Sequence, residues 1–337
     1  MPYTIKKRDA IIAAVRLRAR KATHKYGIEI PYDVESAERL DAKNGHRFWQ
    51  DAIDKEMRNN AIAFEILEPR ENIPVGWTQQ SGHLVFDVKM DLTRKARWVL
   101  DGHKTPDVDG STFAGVVSRE SVRIALTYAA LNCLSVFAAD IQNAFLQAPS
   151  SQKHYIICGA EFGIENIGKK ALIRRALYGV KTAGKDFRDH LRACMRHLKF
   201  EACLADPDLW MRPAMKVDRS EYWEYVLLYV DDCLVVSERG EQILTEEIGK
   251  YFLLKEDSVG PPTIYLGGQI REVEMENGTF CWSCGSSKYV RAAVANVEDY
   301  LSKRDEKLPR KAETPLSSNY RPELDVSKEL NQSQASY

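Results

Sequence analysis

The stretch Tyr229-Val230-Asp231-Asp232 lies between two apolar runs, residues 224–228 (EYVLL) before it and residues 233–237 (CLVVS) after it. Two apolar runs rich in β-branched residues around a short polar centre predict two strands joined by a tight hairpin, with both aspartates at or beside the turn. Two carboxylates held about 4 to 6 Å apart repel by a few kcal/mol at an effective dielectric near 20. A bound cation would relieve this repulsion, and carboxylate oxygens suit Mg²⁺. The alternative is an ordinary solvated turn, in which aspartate is common.

A third aspartate interrupts an apolar segment upstream. Asp140 lies within residues 136–146 (VFAADIQNAFL), which predict a buried strand that ends at the acid. A fully buried and unpaired carboxylate costs several kcal/mol, so Asp140 must lie at the exposed end of the strand or hold a cation.

These two segments resemble the reverse transcriptases of copia-type long-terminal-repeat retrotransposons. That family has a Tyr, a variable residue and two Asp in a hairpin, preceded by Asp-Val, two variable residues and Ala-Phe-Leu; here Ile141 replaces Val. The resemblance covers about residues 46 to 320. It implies an α+β right-hand polymerase with fingers, palm and a partial thumb, whose antiparallel palm sheet carries the Tyr229–Asp232 hairpin. It also implies that Asp140, Asp231 and Asp232 are catalytic and hold two Mg²⁺ ions, for which Mn²⁺ is a substitute.

A third segment carries the resemblance on the nucleotide side. Lys95-Ala96-Arg97 resembles the family's Lys-Ala-Arg strand, which implies that Arg97 contacts the incoming triphosphate, and a planar guanidinium suits phosphate oxygens. Without the resemblance, Lys95 and Arg97 would be interpreted as charged side chains on the solvent face of a strand. Lys89 is a second phosphate candidate. The dNTP-binding residues implied are Arg97, Lys89, Phe145, Ala144 and Tyr178; Phe145 would lie beneath the sugar, or else is simply a core aromatic.

Residues 177–187 (LYGVKTAGKDF) resemble the family's Leu-Tyr-Gly-Leu-Lys-Gln-Ala-Pro-Arg segment, which has a Trp two places further on. The four informative differences are at Thr182, Gly184, Lys185 and Phe187, and among these only Gly184 changes the backbone's freedom, because it relaxes a turn that proline would fix. The template and primer residues implied by the resemblance are Gly179, Lys181, Tyr229, Val230, Leu266 and Gly267.

Other patterns predict secondary structure and its grouping. Helices are expected at residues 48–57, from Ser118 to about Leu134, and at residues 243–252; Asn277-Gly278 predicts a type I′ hairpin. The expected regions are a basic N-terminal extension (1–45), fingers (46–115 and 148–178), palm (116–147 and 179–270), a thumb-like region (271–310) and a polar tail towards a ribonuclease H region (311–337).

Composition sets limits on the class of protein. The chain has 337 residues, of which 44% are hydrophobic, enough for a sizeable core. No run approaches the roughly 18 apolar residues that span a bilayer, so we expect no membrane partner and a cytoplasmic location, in the virus-like particle of an element. The net charge of zero argues mildly against a polymerase, whose grip on phosphates is largely electrostatic, unless basic residues are segregated, as they are near the N-terminus.

The function implied is RNA-directed DNA polymerisation, in which dNTPs are added to a primer 3′-hydroxyl on an RNA or DNA template. Ribonuclease H and integrase regions of the same polyprotein are the expected partners. Two alternatives stay open: a catalytically inactive, nucleic-acid-binding remnant of a mobile element, and another palm-fold nucleotidyl enzyme such as a cyclase. The presence of all three aspartates argues against decay, and the Lys-Ala-Arg and Ala-Phe-Leu segments argue against a cyclase.

Overall fold

The computed structural model describes residues 24–308, except Met90, Pro106, Asp109 and Gly267. The first 23 residues of the predicted basic extension and the predicted polar tail (311–337) lie outside the described residues. The described residues form two compact units, which divide between Pro261 and Pro262.

The first unit contains most of the regular structure. Its strands are β1 (His24–Lys25), β2 (Ile28–Glu29), β3 (Phe64–Ile66), β4 (Thr78–Gln79), β5 (Gly82–Val88), β6 (Arg94–Leu100), β7 (Ser135–Asp140), β8 (His154–Ile157), β9 (Lys170–Ile173), β10 (Glu201–Ala202), β11 (Leu209–Met215), β12 (Glu221–Tyr229) and β13 (Asp232–Ser237). Its α-helices are α1 (Val34–Asn44), α2 (Phe48–Asn60), α3 (Arg119–Leu131), α4 (Ala144–Gln147), α5 (Ala183–His197) and the single turn α6 (Gly240–Gln242). Shorter 3₁₀ turns lie at Ala61–Ala63, Gly102–Lys104, Ala160–Phe162, Ile164–Asn166 and Ile248–Lys250, and a π turn at Ile243–Glu247.

The centre of this unit is a five-stranded sheet in the order β10-β11-β12-β13-β7. Each neighbouring pair is antiparallel. The strand β13 is buried along its length from Cys233 to Ser237, which explains why it reads as an unbroken apolar run instead of an alternating one. The sheet therefore fixes β12 and β13 firmly behind the turn that joins them.

Residues 64–173 also form two smaller sheets. The strands β3-β9-β8-β4 form one, and β5 and β6 pair as an antiparallel hairpin. Leu84, Phe86 and Val88 are buried while the residues between them are exposed, the period of two expected of a strand with one buried face. The hairpin packs on α2, whose Trp49 and Ile53 are buried as the helical spacing predicts.

The helix predicted from Ser118 is present as α3. The Ser118 hydroxyl accepts a hydrogen bond from the Ser121 N–H at 3.1 Å, as expected of an N-cap. The helix ends at Leu131 instead of Leu134, because Cys133 takes a left-handed conformation (φ 51°) that turns the chain into β7.

The regular helix predicted at residues 243–252 is wrong in detail. The segment contains a π turn followed by a 3₁₀ turn. Ile243, Leu244, Ile248 and Phe252 are all buried, and the five-residue step from Ile243 to Ile248 is too wide for one face of an α-helix. The π turn, with its i to i+5 period, brings both isoleucines to the core.

The second unit contains β14 (Ile264–Tyr265), β15 (Gly268–Glu274) and β16 (Phe280–Gly285) in an antiparallel sheet, followed by α7 (Ser287–Ser302). The type I′ turn predicted at Asn277-Gly278 is corrected here: Gly278 has a positive φ (76°) and Asn277 does not. The Gly278 N–H donates to the Met275 carbonyl at 2.8 Å. This is the longer connection in which a left-handed glycine follows a type I turn.

Within the described ranges of the chain, no helix has the length and apolar character required to cross a membrane.

Candidate active site

The turn between β12 and β13 carries the aspartate pair. Tyr229 pairs with Asp232 across the hairpin, which leaves Val230 and Asp231 as its two turn residues. Val230 has φ 54°, a conformation that is a true outlier for a β-branched residue. Such strain persists only where the surrounding structure imposes it, and it clusters at functional sites. The buried sheet behind the turn supplies that constraint.

The third aspartate lies beside this pair. Asp140 is the last residue of β7 and stands directly opposite Asp232 in the register of β7 with β13. The Ile141 N–H donates to the Asp231 carbonyl oxygen at 2.8 Å, which fixes the end of β7 against the turn. The fold therefore brings the three predicted catalytic aspartates, distant in sequence, to one end of one sheet.

The charges at this end are poorly compensated. Burial raises the pKa of Asp232 to about 6, and the negative charges of Asp231 and Asp140 act in the same direction. Burial also raises the pKa of Asp231, with repulsion from Asp140 adding to it and the positive charges of Lys255 and Arg97 opposing it. Both shifts show that a negative charge is costly here and that a cation would be favourable.

The three carboxylates do not converge on a single point. Among the residues that the structure describes, no three His, Cys, Asp or Glu side chains are arranged to hold one metal ion. The Asp140 carboxylate instead accepts a hydrogen bond from the Lys255 Nζ at 3.2 Å. Sequence reasoning missed Lys255, because it lies in a polar stretch that has the pattern of a loop.

Four of the five predicted nucleotide-binding residues lie together in one group. The Arg97 guanidinium stands over the Tyr178 ring, 4.8 Å from its centroid, and the Tyr178 ring lies 5.2 Å from the Phe145 ring. Ala144, which precedes Phe145, is buried. Because the charge of Arg97 also acts on Asp231, this group lies close to the aspartates.

Lys89, the fifth candidate, lies at the tip of the β5–β6 hairpin. Arg97 pairs with Val85 and Lys95 with Asp87, so Lys89, Lys95 and Arg97 share one face of the hairpin. The positive charges of Arg97 and Lys89 help burial to lower the pKa of Lys95. The three side chains form a basic row, and Lys95 is a member that the sequence analysis did not assign to the site.

Gly179 and Lys181, predicted to contact template or primer, hold a loop against β6. Gly179 has φ 89°, and a Cβ there would stand 2.0 Å from the Leu100 carbonyl oxygen, so only glycine fits. The Lys181 Nζ donates to the Thr105 carbonyl at 2.9 Å and to Asp107 at 3.1 Å. The structure thus gives both residues structural partners.

The other predicted template and primer residues divide between the two units. Tyr229 and Val230 are exposed at the aspartate turn. Leu266 belongs to the second unit, where it follows β14 with φ 51°, and Gly267 lies outside the described residues.

An apolar pocket next to the turn was also missed. Val230, Phe145 and Phe187 contribute to its walls. At its edge Arg188 donates two hydrogen bonds to the Asp208 carboxylate, at 2.9 and 2.7 Å. Its signal in the sequence is the apolar face of α5, which is equally typical of a helix that packs on a core.

Comparison with known proteins identifies a family whose model covers most of the chain and individual relatives that match a smaller part of it. The model of the family described as reverse transcriptase (RNA-dependent DNA polymerase) matches residues 65–292. Two Arabidopsis thaliana proteins, the retrovirus-related Pol polyproteins from transposons RE1 and RE2, are 30% and 29% identical to this chain over 144 residues. The matched stretch is 42% of this chain and 10% of each relative, so it spans about a tenth of their length.

Proposed function

The chain belongs to the reverse transcriptase (RNA-dependent DNA polymerase) family, and we propose that it is the RNA-directed DNA polymerase of a copia-type retrotransposon, adding dNTPs to a primer 3′-hydroxyl. The observation that carries this proposal is the register that sets Asp140 opposite Asp232, with Asp231 in the adjoining turn. We interpret the five-stranded sheet as the palm, the β5–β6 hairpin as part of the fingers and the second unit as thumb-like.

The donor set suits a divalent cation. Asp140, Asp231 and Asp232 would hold two Mg²⁺ ions, with Mn²⁺ as a substitute, and when bound the ions supply Lewis-acid stabilisation of the attacking and leaving oxygens. Mg²⁺ in such sites takes only one or two carboxylates and completes its shell with water and substrate phosphates. Convergence of three carboxylates on one point is therefore not required of the protein alone.

The basic row of Lys89, Lys95 and Arg97 supports the orientation that we propose for the nucleotide. Arg97 is the member nearest the aspartates, and its contact with the Tyr178 ring fixes the plane of the guanidinium, which can then present two N–H groups to one phosphate. The triphosphate would lie along this row, with its α-phosphate towards the aspartates. Phe145, whose ring also lies beside Tyr178, would then contact the sugar.

The template and primer would contact the remaining surface of the same end. Tyr229 and Val230 are exposed beside the aspartates, where a primer terminus must lie for its 3′-hydroxyl to react. Gly179 and Lys181 would support the template by holding their loop against β6. Leu266, in the second unit, stays a proposed primer residue on the basis of the resemblance alone. Ribonuclease H and integrase regions of one polyprotein are the partners that we propose.

Primer extension on poly(rA) annealed to oligo(dT) tests the proposal. The full chain should incorporate dTTP in the presence of Mg²⁺ and stop when EDTA is added. Binding of template and primer without any incorporation, with either Mg²⁺ or Mn²⁺, would favour the inactive remnant. Incorporation that does not depend on a template would contradict the assignment altogether.

A further inference from the structure

The segment from Leu253 to Gly260, called the edge strap here, runs along the outer edge of β7. The Gln142 N–H donates to the Leu253 carbonyl at 2.9 Å, and the Lys255 N–H donates to the Asp140 carbonyl at 2.8 Å. Further along, Ala138 and Gly260 exchange two backbone hydrogen bonds, at 2.7 and 3.1 Å. The edge strap therefore pairs with the strand that ends at Asp140.

Side chains fix both ends of the edge strap. The Gln147 amide nitrogen donates to the Leu253 carbonyl at 2.9 Å, and its oxygen accepts from the Leu253 N–H at 2.7 Å. Ser258 accepts from the Asp140 N–H at 3.1 Å and donates to the Lys255 carbonyl at 2.7 Å. The backbone of Lys255 is consequently held at a defined place beside Asp140.

The side chain of Lys255 is free to move into solvent, whereas its backbone is held by hydrogen bonds. Its Nζ lies 3.2 Å from Asp140 Oδ2, yet the side chain is 60% exposed. An exposed ammonium on a flexible stem can leave its partner at little cost, because water solvates it at once. A fixed backbone with a releasable charge is the arrangement required of a counter-ion that must give way.

We propose that Lys255 is a built-in counter-cation, which holds the Asp140 carboxylate while no metal is bound and leaves it when a divalent ion binds. This rests on the proposed function, in which Asp140 is a metal ligand. The ammonium and the metal ion compete for the same carboxylate oxygens and repel each other, so both cannot occupy them. Lys255 thereby acts through Asp140: it compensates the charge of that carboxylate while no metal is bound, and so lowers the affinity for metal.

Three variants of the full chain separate this role from a general effect of charge. Lys255→Met removes the ammonium and keeps the length of the side chain, and Lys255→Arg keeps the charge. Lys250→Met is the matched control, because Lys250 is an exposed lysine in the preceding 3₁₀ turn. Circular dichroism establishes that each variant folds before any comparison is made.

Binding of Mn²⁺, measured from the electron paramagnetic resonance signal of the free ion, is the first test. Lys255→Met should bind Mn²⁺ about three- to tenfold more tightly than the wild type, since the competing charge is gone. Lys255→Arg and Lys250→Met should stay within about twofold of the wild type. Equal or weaker binding by Lys255→Met would overturn the inference alone. If the wild type binds no Mn²⁺, both the inference and the metal site of the proposed function are wrong.

Amine labelling gives a second readout that does not depend on activity. In the wild type, Mn²⁺ should raise the labelling of Lys255 by an amine-reactive ester, measured by peptide mass spectrometry, at least about twofold. Labelling of Lys250 should not change. If Mn²⁺ binds but leaves the labelling of Lys255 unchanged or lower, Lys255 does not leave Asp140 and the inference is wrong.

Discussion

The two ends of the β12–β13 hairpin hold carboxylates in opposite electrostatic environments, with Glu224 fully buried at one end and Asp231 and Asp232 partly buried at the other. At the far end Glu224 is fully buried, and burial alone would raise its pKa, but hydrogen bonds from Arg212, Arg239 and Ser237 outweigh that effect and lower it. At the turn, burial and neighbouring negative charges raise the pKa of Asp232 to about 6. The same pair of strands thus carries one compensated acid and one uncompensated acid.

The two ends differ in how their charges are balanced. Arg212 and Arg239 also pair with Glu247, at 2.9 and 2.8 Å, so the far end is a closed ion network that satisfies its own charges. Removing one member of such a network leaves another buried and unpaired. The aspartate end has no equivalent set of partners, so its negative charges stay poorly compensated.

The largest expected effect comes from removing one charge at the aspartate end. In the proposed mechanism Asp231→Asn removes a metal ligand, so it should reduce primer extension by at least about a thousandfold. In EDTA the melting temperature should stay the same or rise, because the substitution relieves repulsion and the cost of burying a charge. Extension assays and thermal unfolding on the same preparations measure both.

Asp218→Asn is the control for that substitution, because Asp218 is an exposed aspartate in the turn before β12. It should leave extension unchanged. Extension by Asp231→Asn at a rate near that of the wild type would remove the aspartates from the chemistry.

The same chemical change at the far end should have the opposite outcome. Glu224→Gln leaves Arg212 and Arg239 without their central acceptor and should lower the free energy of unfolding by about 3 kcal/mol, the range for breaking a buried ion pair. Extension per folded molecule should be retained. Urea unfolding measures the first quantity, and a loss under about 0.5 kcal/mol would show that the network is not stabilising.

The pH dependence of stability sharpens the contrast. An unfolded aspartate titrates near pH 3.9, and Asp232 in the folded protein titrates at about 6, so the folded state binds the proton more tightly. Metal-free stability should therefore rise, by about 1 to 2 kcal/mol, as the pH falls from about 7 towards about 4. Glu224 has a lowered pKa, so its contribution is lost only at lower pH, as the pH falls through its folded pKa.

Urea unfolding in EDTA across that pH range measures this rise. Asp232→Asn should reduce it, leaving the contribution of Asp231, whose pKa burial also raises, and Glu224→Gln should preserve it despite a lower stability at every pH. A rise of unchanged size in Asp232→Asn would have to come from other groups.

The sequence predicted the parts of this comparison that depend on local pattern. The apolar runs on either side of the aspartate pair predicted the hairpin, and the acid at the end of an apolar run predicted the end of β7. The order of these segments also led to the reverse transcriptase family, which the family match confirms. The roles of individual residues stay predictions.

The rest depends on long-range contacts that have no period in the sequence. Lys255 reaches Asp140 only because an irregular segment pairs with the edge of β7, and Arg212, Glu224 and Glu247 meet only in the folded chain. The strain at Val230 could not be foreseen either, because valine normally avoids that conformation. In a single sequence, charged residues that become buried or paired on folding look the same as charged residues that stay in solvent.

The smallest expected effect concerns the choice of sugar at the aspartate end. Phe145 and Phe187 are neighbours, with ring centroids 6.3 Å apart, but Phe187 is 2% exposed while Phe145 is only partly buried beside Tyr178. If Phe145 lies beneath the sugar, Phe145→Val makes room for a 2′-hydroxyl, and overpacking of that kind costs about 1 to 3 kcal/mol. The ratio of rNTP to dNTP insertion should then rise about tenfold, as single-nucleotide kinetics would measure.

Phe187→Val provides the comparison within the same aromatic group. It should lower the free energy of unfolding by about 2 kcal/mol, because it leaves a cavity in the core, and reduce the insertion of both sugars together. If Phe145 were only another core ring, Phe145→Val would behave in the same way, with lower stability and an unchanged ratio. An unchanged ratio in Phe145→Val would therefore assign Phe145 to the core, whereas a raised ratio with intact dNTP insertion would place it at the nucleotide, beside the uncompensated end of the hairpin.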